Sequence, residues 1–180
     1  MLIAENLQQK NIAEYLLYMW QVEDIIRAFD VDFDKLSKGY ISKFNRLEPK
    51  QLSATKKWYE DLVNMMHSEG VVKTGHLQIC KNVLINLNDL HEQIINSTKF
   101  PYYKSAYYDI LPIIVELRAK GDSNKNEFET CFEFLYGIML LKMQKKEISK
   151  DTEEAVKKVS TFFAILSDYY NKNKENPLDL

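Results

Sequence analysis

Glycine and proline are scarce in this chain, at five and four of 180 residues, against about 7% and 5% in ordinary globular proteins. Few turn-formers mean few turns, so the elements between them must be long. Cysteine is scarcer still: Cys80 and Cys131 stand alone and far apart. That excludes a disulfide-stapled scaffold and fits two reduced, buried thiols. Long apolar runs are missing. The longest stretch free of Asp, Glu, Lys and Arg is the nine residues 159–167, where a membrane-spanning helix needs about 20. The opening Met1-Leu2-Ile3-Ala4-Glu5 has no basic n-region and meets a charge at once, so the expectation is a cytoplasmic protein without a secretory leader. An excess of one charge is missing too. The first ninety residues hold 11 basic and 12 acidic side chains and the last ninety hold 13 and 14. Each half therefore nets −1, and neither has the polarised footprint of a duplex-binding protein.

What is present is a globular balance, with 46% hydrophobic and 28% charged residues and a length that suits one domain. A chain of this size buries about 70% of its unfolded surface and needs no metal or disulfide to fold.

The apolar spacing is helical almost throughout. A first helix is expected from about residue 5 or 11 to 29, with Ile12, Tyr15, Met19, Val22 and Ile26 in a 3-4-3-4 row and Leu16, Leu17, Trp20 and Ile25 on other sides. A helix apolar nearly all round is buried all round, which puts this one at the centre. Further helices are expected over about 32–44, 49–68, 74 or 76–96, 101–121 and 126–146, and from 149 or 151 onward. Pro49 suits a first helical turn, Gly70 a left-handed C-terminal position, and Pro112 should kink the fifth helix. The fold class is thus all-α: a single-domain bundle of six or seven mostly antiparallel helices over 1–170, with the first helix buried and a loose polar tail over 171–180.

Tests for chemistry fail in turn. Gly70 and Gly75 have the glycine spacing of a phosphate loop, but His76 and Leu77 follow where lysine and a hydroxyl are needed. His91-Glu92 opens like a zinc-binding helix, yet Ile95 stands where the second histidine belongs. Three positions before the histidines lie Asn64, Lys73 and Asn88, so the di-iron bundle pattern fails as well. No G-x-S-x-G is present, and both cysteines sit on apolar helix sides, where thiols are inert. No catalytic residue, metal or cofactor is therefore assigned.

The unexplained polar content lies on the first helix. Glu14, Gln21, Glu23, Asp24 and Arg27 interrupt a segment that otherwise reads as core. A buried charge must be paired or it costs several kcal/mol. The bland reading is a Glu23–Arg27 ion pair at the core edge with a solvent side. The sharper one is a ligand pocket using Tyr18, Gln21, Glu23 and Arg27. The densest aromatic stretch, Phe100-Pro101-Tyr102-Tyr103-Lys104-Ser105-Ala106-Tyr107-Tyr108, reads as helix packing with hydroxyls at the rim before it reads as a platform for single-stranded bases. Lys142, Lys145, Lys146, Lys150, Lys157 and Lys158 read as a solvated hairpin end.

The segment Asn11-Ile12-Ala13-Glu14-Tyr15-Leu16-Leu17-Tyr18-Met19-Trp20-Gln21-Val22-Glu23-Asp24-Ile25-Ile26-Arg27-Ala28 resembles the opening of a domain-of-unknown-function family of small helical proteins from Bacteroidetes. The resemblance implies a bacterial cytoplasmic origin and transfers no functional residues.

Large apolar and aromatic side chains without catalytic motifs point first to a non-enzymatic interaction module, binding a protein partner or itself as a homodimer. The alternative is a small-molecule-binding protein or enzyme using the first-helix polar set. Neither membrane insertion nor nucleic-acid binding is expected.

Overall fold

The structure, a computed structural model, describes residues 2–122 and 124–179. Regular structure among them is entirely helical: α1 (Leu2–Lys10), α2 (Ile12–Ala28), α3 (Phe33–Gly39), a 3-10 turn (Ile41–Lys43), α4 (Pro49–Ser68), α5 (Gln78–Asn96), α6 (Pro101–Lys120), α7 (Glu127–Met143) and α8 (Lys150–Glu175).

Among the described residues eight α-helices stand where six or seven were expected, because Asn11 divides the N-terminal one. Its backbone is extended, and its side-chain Oδ1 accepts from the Ala13 and Glu14 N–H groups at 3.2 Å each, which starts a new helix. The first helix is accordingly not the buried one. Among the residues of α1 whose burial is described, only Ala4 is buried and Leu7 is half-buried; the central helix is α2, which buries nine side chains including Leu16, Met19 and Trp20. At the other end, α8 continues to Glu175, through half of the segment expected to be loose. Beyond it Leu178 packs back on the core, its N–H donating to Asn173 Oδ1 at 2.9 Å, while Lys99 pairs with Asp179 at 2.7 Å. Leu180 lies outside the described residues.

Every pair among α2, α5, α7 and α8 is in contact, and α6 lies against α5, α7 and α8. Connections of six residues fold α6–α7 and α7–α8 into successive helical hairpins. Their centre is aromatic. Phe128, Phe162 and Phe163 lie 5.1–5.9 Å apart by ring centroids, and Phe132 sits 4.4 Å from Phe163. From the aromatic stretch of α6, Tyr103 is fully buried and Tyr107 packs on Phe162, whereas Tyr102 and Tyr108 are exposed. Helix α6 runs on through Pro112, which lies on its exposed side. The exposed position leaves the carbonyl that loses its N–H donor to proline on the solvent side of the helix. No helix among the described residues is long and apolar enough to cross a membrane.

Helices α3 and α4 form a lateral pair, joined to the bundle by a tight turn after α2. Asp30 and Val31 both take left-handed backbone, with φ of 59° and 54°. The strain at a β-branched residue is held by three contacts: Val31 N–H donates to Ile26 O at 3.1 Å, its carbonyl bonds His67 Nε2 at 2.8 Å, and its side chain is buried.

Candidate functional site

Glu23 sits in the middle of α2 with none of its surface exposed. The reason is α5, whose N-terminus has no cap of its own: Leu77 is the capping position, and no acidic residue follows in the first turn. Glu23 supplies the missing charge from across the bundle. Its Oε1 accepts from the Leu77 N–H at 2.9 Å and from the Cys80 thiol at 3.4 Å; its Oε2 accepts from His76 Nδ1 at 2.6 Å. Glu69, at the C-cap of α4, adds a second carboxylate, accepting from the Gln78 N–H at 2.6 Å. Carboxylates at the positive end of a helix are where the macrodipole favours them.

Arg27, one turn on, takes the carbonyl side of the same connection. Its Nη2 donates to Val71 O at 3.2 Å and also to Gly75 O. Nη1 pairs with Asp24 at 2.9 Å, and Nη2 lies 4.0 Å from Glu23. Asp24 in turn accepts from the Tyr136 hydroxyl at 2.6 Å, which brings α7 into the network. The half-exposed His76 ring stacks flat on Trp20, with centroids 4.0 Å apart and planes 11° from parallel, and Tyr136 meets Trp20 edge-on at 5.7 Å. Two donors of this cluster, Trp20 Nε1 and Arg27 Nε, are buried without a partner among the described residues.

A buried carboxylate on an imidazole is the geometry that orients a general base. Here Oε1 holds the start of α5 through the Leu77 N–H and the Cys80 thiol, and only Oε2 bonds the His76 ring. The nearest thiol bonds the carboxylate rather than the imidazole, and burial and Glu23 together push Cys80 far above its ordinary range. Burial likewise pushes the Cys131 thiol up to about 12. The cluster therefore fastens the 71–77 connection to α2 and arms no nucleophile. Among the described residues, no three His, Cys, Asp or Glu side chains come together as metal ligands.

The four site residues read from the sequence thus lie in three places. Glu23 and Arg27 meet. Gln21 points to the end of α7, where Nε2 reaches Met143 Sδ at 3.6 Å. Tyr18 faces a groove between α1, α2, the 3-10 turn and α4, with Tyr40, Phe44, Leu47, Tyr59 and Ile3 on its walls and a volume of about 460 Å³. Sequence reasoning missed Trp20, Asp24, His76 and Tyr136 as members of one cluster. His76 is 53 positions from Glu23 and Tyr136 is 112 from Asp24, and no local spacing signals such a meeting.

A third feature is the second half of α7. Residues 134–141, Phe-Leu-Tyr-Gly-Ile-Met-Leu-Leu, carry no charge, yet only Leu135 is buried; the rest are half-buried and Met143 beyond them is exposed. Beside them Leu17, Leu135, Ile138, Met139, Met143 and Val156 line an open, mainly apolar trough of about 470 Å³ between α2, α7 and α8.

The family model described as a domain of unknown function, DUF4924, matches residues 1–177, so the chain belongs to that family. No curated protein and no solved structure matches it.

Proposed function

We propose that this DUF4924 chain is a non-enzymatic helical interaction module that pairs through the second half of α7, first of all with a second copy of itself. The observation that carries the reading is the mismatch on α7: a segment apolar on every side, which belongs in an interior, has an interior on only part of its circumference. Contiguous half-exposed apolar surface of this kind marks interaction sites, and the methionines beside it, Met139 and Met143, adapt easily to a partner's shape. Gly137 supports the same side. A Cβ built there meets nothing within 4 Å, so the residue faces open space, where a glycine costs a helix about 1 kcal/mol relative to alanine and lets another backbone come close. A cytoplasmic setting goes with this reading and is supported by two free, buried thiols.

Size-exclusion chromatography with light scattering tests it. The expected result is a concentration-dependent dimer that Ile138→Glu or Leu140→Glu returns to monomer with the helical circular dichroism unchanged. A strict monomer at high concentration removes self-association. A dimer indifferent to both substitutions places the contact away from α7.

A further inference from the structure

The groove beside Tyr18 is independent of the α7 surface and has a different chemical character. Its walls are aromatic: Tyr40 meets Phe44 at 5.0 Å and Tyr59 at 5.9 Å, both edge-on, with Tyr18 alongside. Its volume of about 460 Å³ falls in the range of small-ligand sites, roughly 300–1,000 Å³. The charge on its rim has one sign. Lys43 and Arg46 stand there, no Asp or Glu lines the groove, and neither cation has an ion-pair partner among the described residues. The phenols contribute donors. Burial and the neighbouring Tyr40 push the Tyr18 and Tyr59 hydroxyls above their ordinary range, so both stay neutral O–H groups at neutral pH.

We propose that this groove binds an amphipathic organic anion, its apolar body between Tyr18, Tyr40, Phe44 and Tyr59 and its carboxylate against Lys43 and Arg46. Charge complementarity selects this occupant over a neutral or cationic one. The apolar walls supply affinity through area removed from water, and the guanidinium fork of Arg46 suits the planar carboxylate.

Titration calorimetry of the full chain with decanoate, decanol and decylammonium, each below its micelle concentration, tests the assignment. Decanoate is expected to bind one per chain, about tenfold more tightly than either of the others. The double variant Lys43→Gln/Arg46→Gln, both exposed positions, is expected to fold normally and to weaken decanoate to the level of decanol. Thr55→Phe, which fills the groove from α4, is expected to abolish binding of all three. Equal affinity for the three probes, a decanoate preference that survives the double variant, or no saturable decanoate binding overturns the proposal. A dimer that Thr55→Phe converts to monomer also overturns it, since the groove would then hold a second copy of the chain.

Discussion

Glu23 and His76 are joined at 2.6 Å, Oε2 to Nδ1, across 53 positions of sequence and with the carboxylate wholly out of water. The pairing fixes where α5 begins. The sequence pattern allows that helix to start at residue 74 or 76, but Glu23 captures the Leu77 N–H, Arg27 captures the carbonyls of Val71 and Gly75, and the helix starts at Gln78.

Removing Glu23 should therefore be among the most damaging single changes in the chain. Glu23→Ala leaves the Leu77 N–H and His76 without their acceptor and removes the buried counter-charge 4.0 Å from Arg27. Breaking a buried ionic cluster from one side costs about 3–5 kcal/mol. Glu23→Gln keeps an acceptor and should cost less, and His76→Ala less again, because that ring is half-exposed. Urea unfolding midpoints check the order. Equal, small losses for all three would show that the cluster is dispensable.

His91 should make the fold acid-sensitive. The ring is buried among Tyr103, Tyr107, Phe128 and Phe162 and bonds the Tyr103 hydroxyl through Nδ1 at 2.7 Å. Burial holds its pKa below the ordinary 6.5. Between the folded and unfolded values the unfolded chain binds the extra proton, so stability falls as pH drops from 6.5 toward the depressed folded value. His91→Gln keeps a partner for Tyr103 and should flatten the pH dependence in that window. Thermal unfolding at pH 7 and pH 5 reads the difference, and an unchanged slope would count against this role.

The end of α7 offers a stabilising change. Lys145 takes left-handed backbone with φ of 57°, directly after the helix, and the Lys146 N–H closes back on Leu141 O at 3.0 Å. Glycine is the usual residue there. Gly70 holds the equivalent place after α4, with φ of 70°. Lys145→Gly should raise stability by about 0.5–1 kcal/mol, measured as a higher denaturation midpoint at constant m-value.

Gly39 ends α3 against the Phe29 ring, and a Cβ built there overlaps Phe29 Cε1. Gly39→Ala should cost about 1–3 kcal/mol through overpacking. Phe29→Leu in the same chain should recover part of that loss. A double-mutant cycle with no coupling would show that the ring moves aside freely.

The helices were legible because each depends on residues within a few positions of one another. Pro49 opens α4 where the pattern puts it, Gly70 closes it with a positive φ, and of the expected core row Phe128, Phe132, Leu135 and Met139 on α7 the first three are buried and Met139 is half-buried. Two helix limits that the sequence left open are also local in kind. Asn11 reads equally well inside a helix or as its cap, and only its extended backbone decides. Residues 171–175 have no apolar side to bury, and they stay helical by continuing the long α8, with Lys172 paired to Asp168 at 2.6 Å.

For the candidate sites, the sequence marked α2 as a core helix carrying charges it had to justify, and Glu23 and Arg27 are where that demand is met. It could not say by what. Their partners are Leu77, His76, Cys80 and two loop carbonyls, brought within reach by α5 packing against α2. By itself, then, the sequence determined the helical class, most helix limits and which sides are apolar, since backbone hydrogen bonding and burial act through 3.6-residue periodicity and single capping residues. The tertiary structure alone decided which charges neutralise one another, which cations stay unpaired beside the Tyr18 groove, and which apolar side of α7 remains uncovered. Those depend on distances between segments far apart in the chain, which no local pattern encodes.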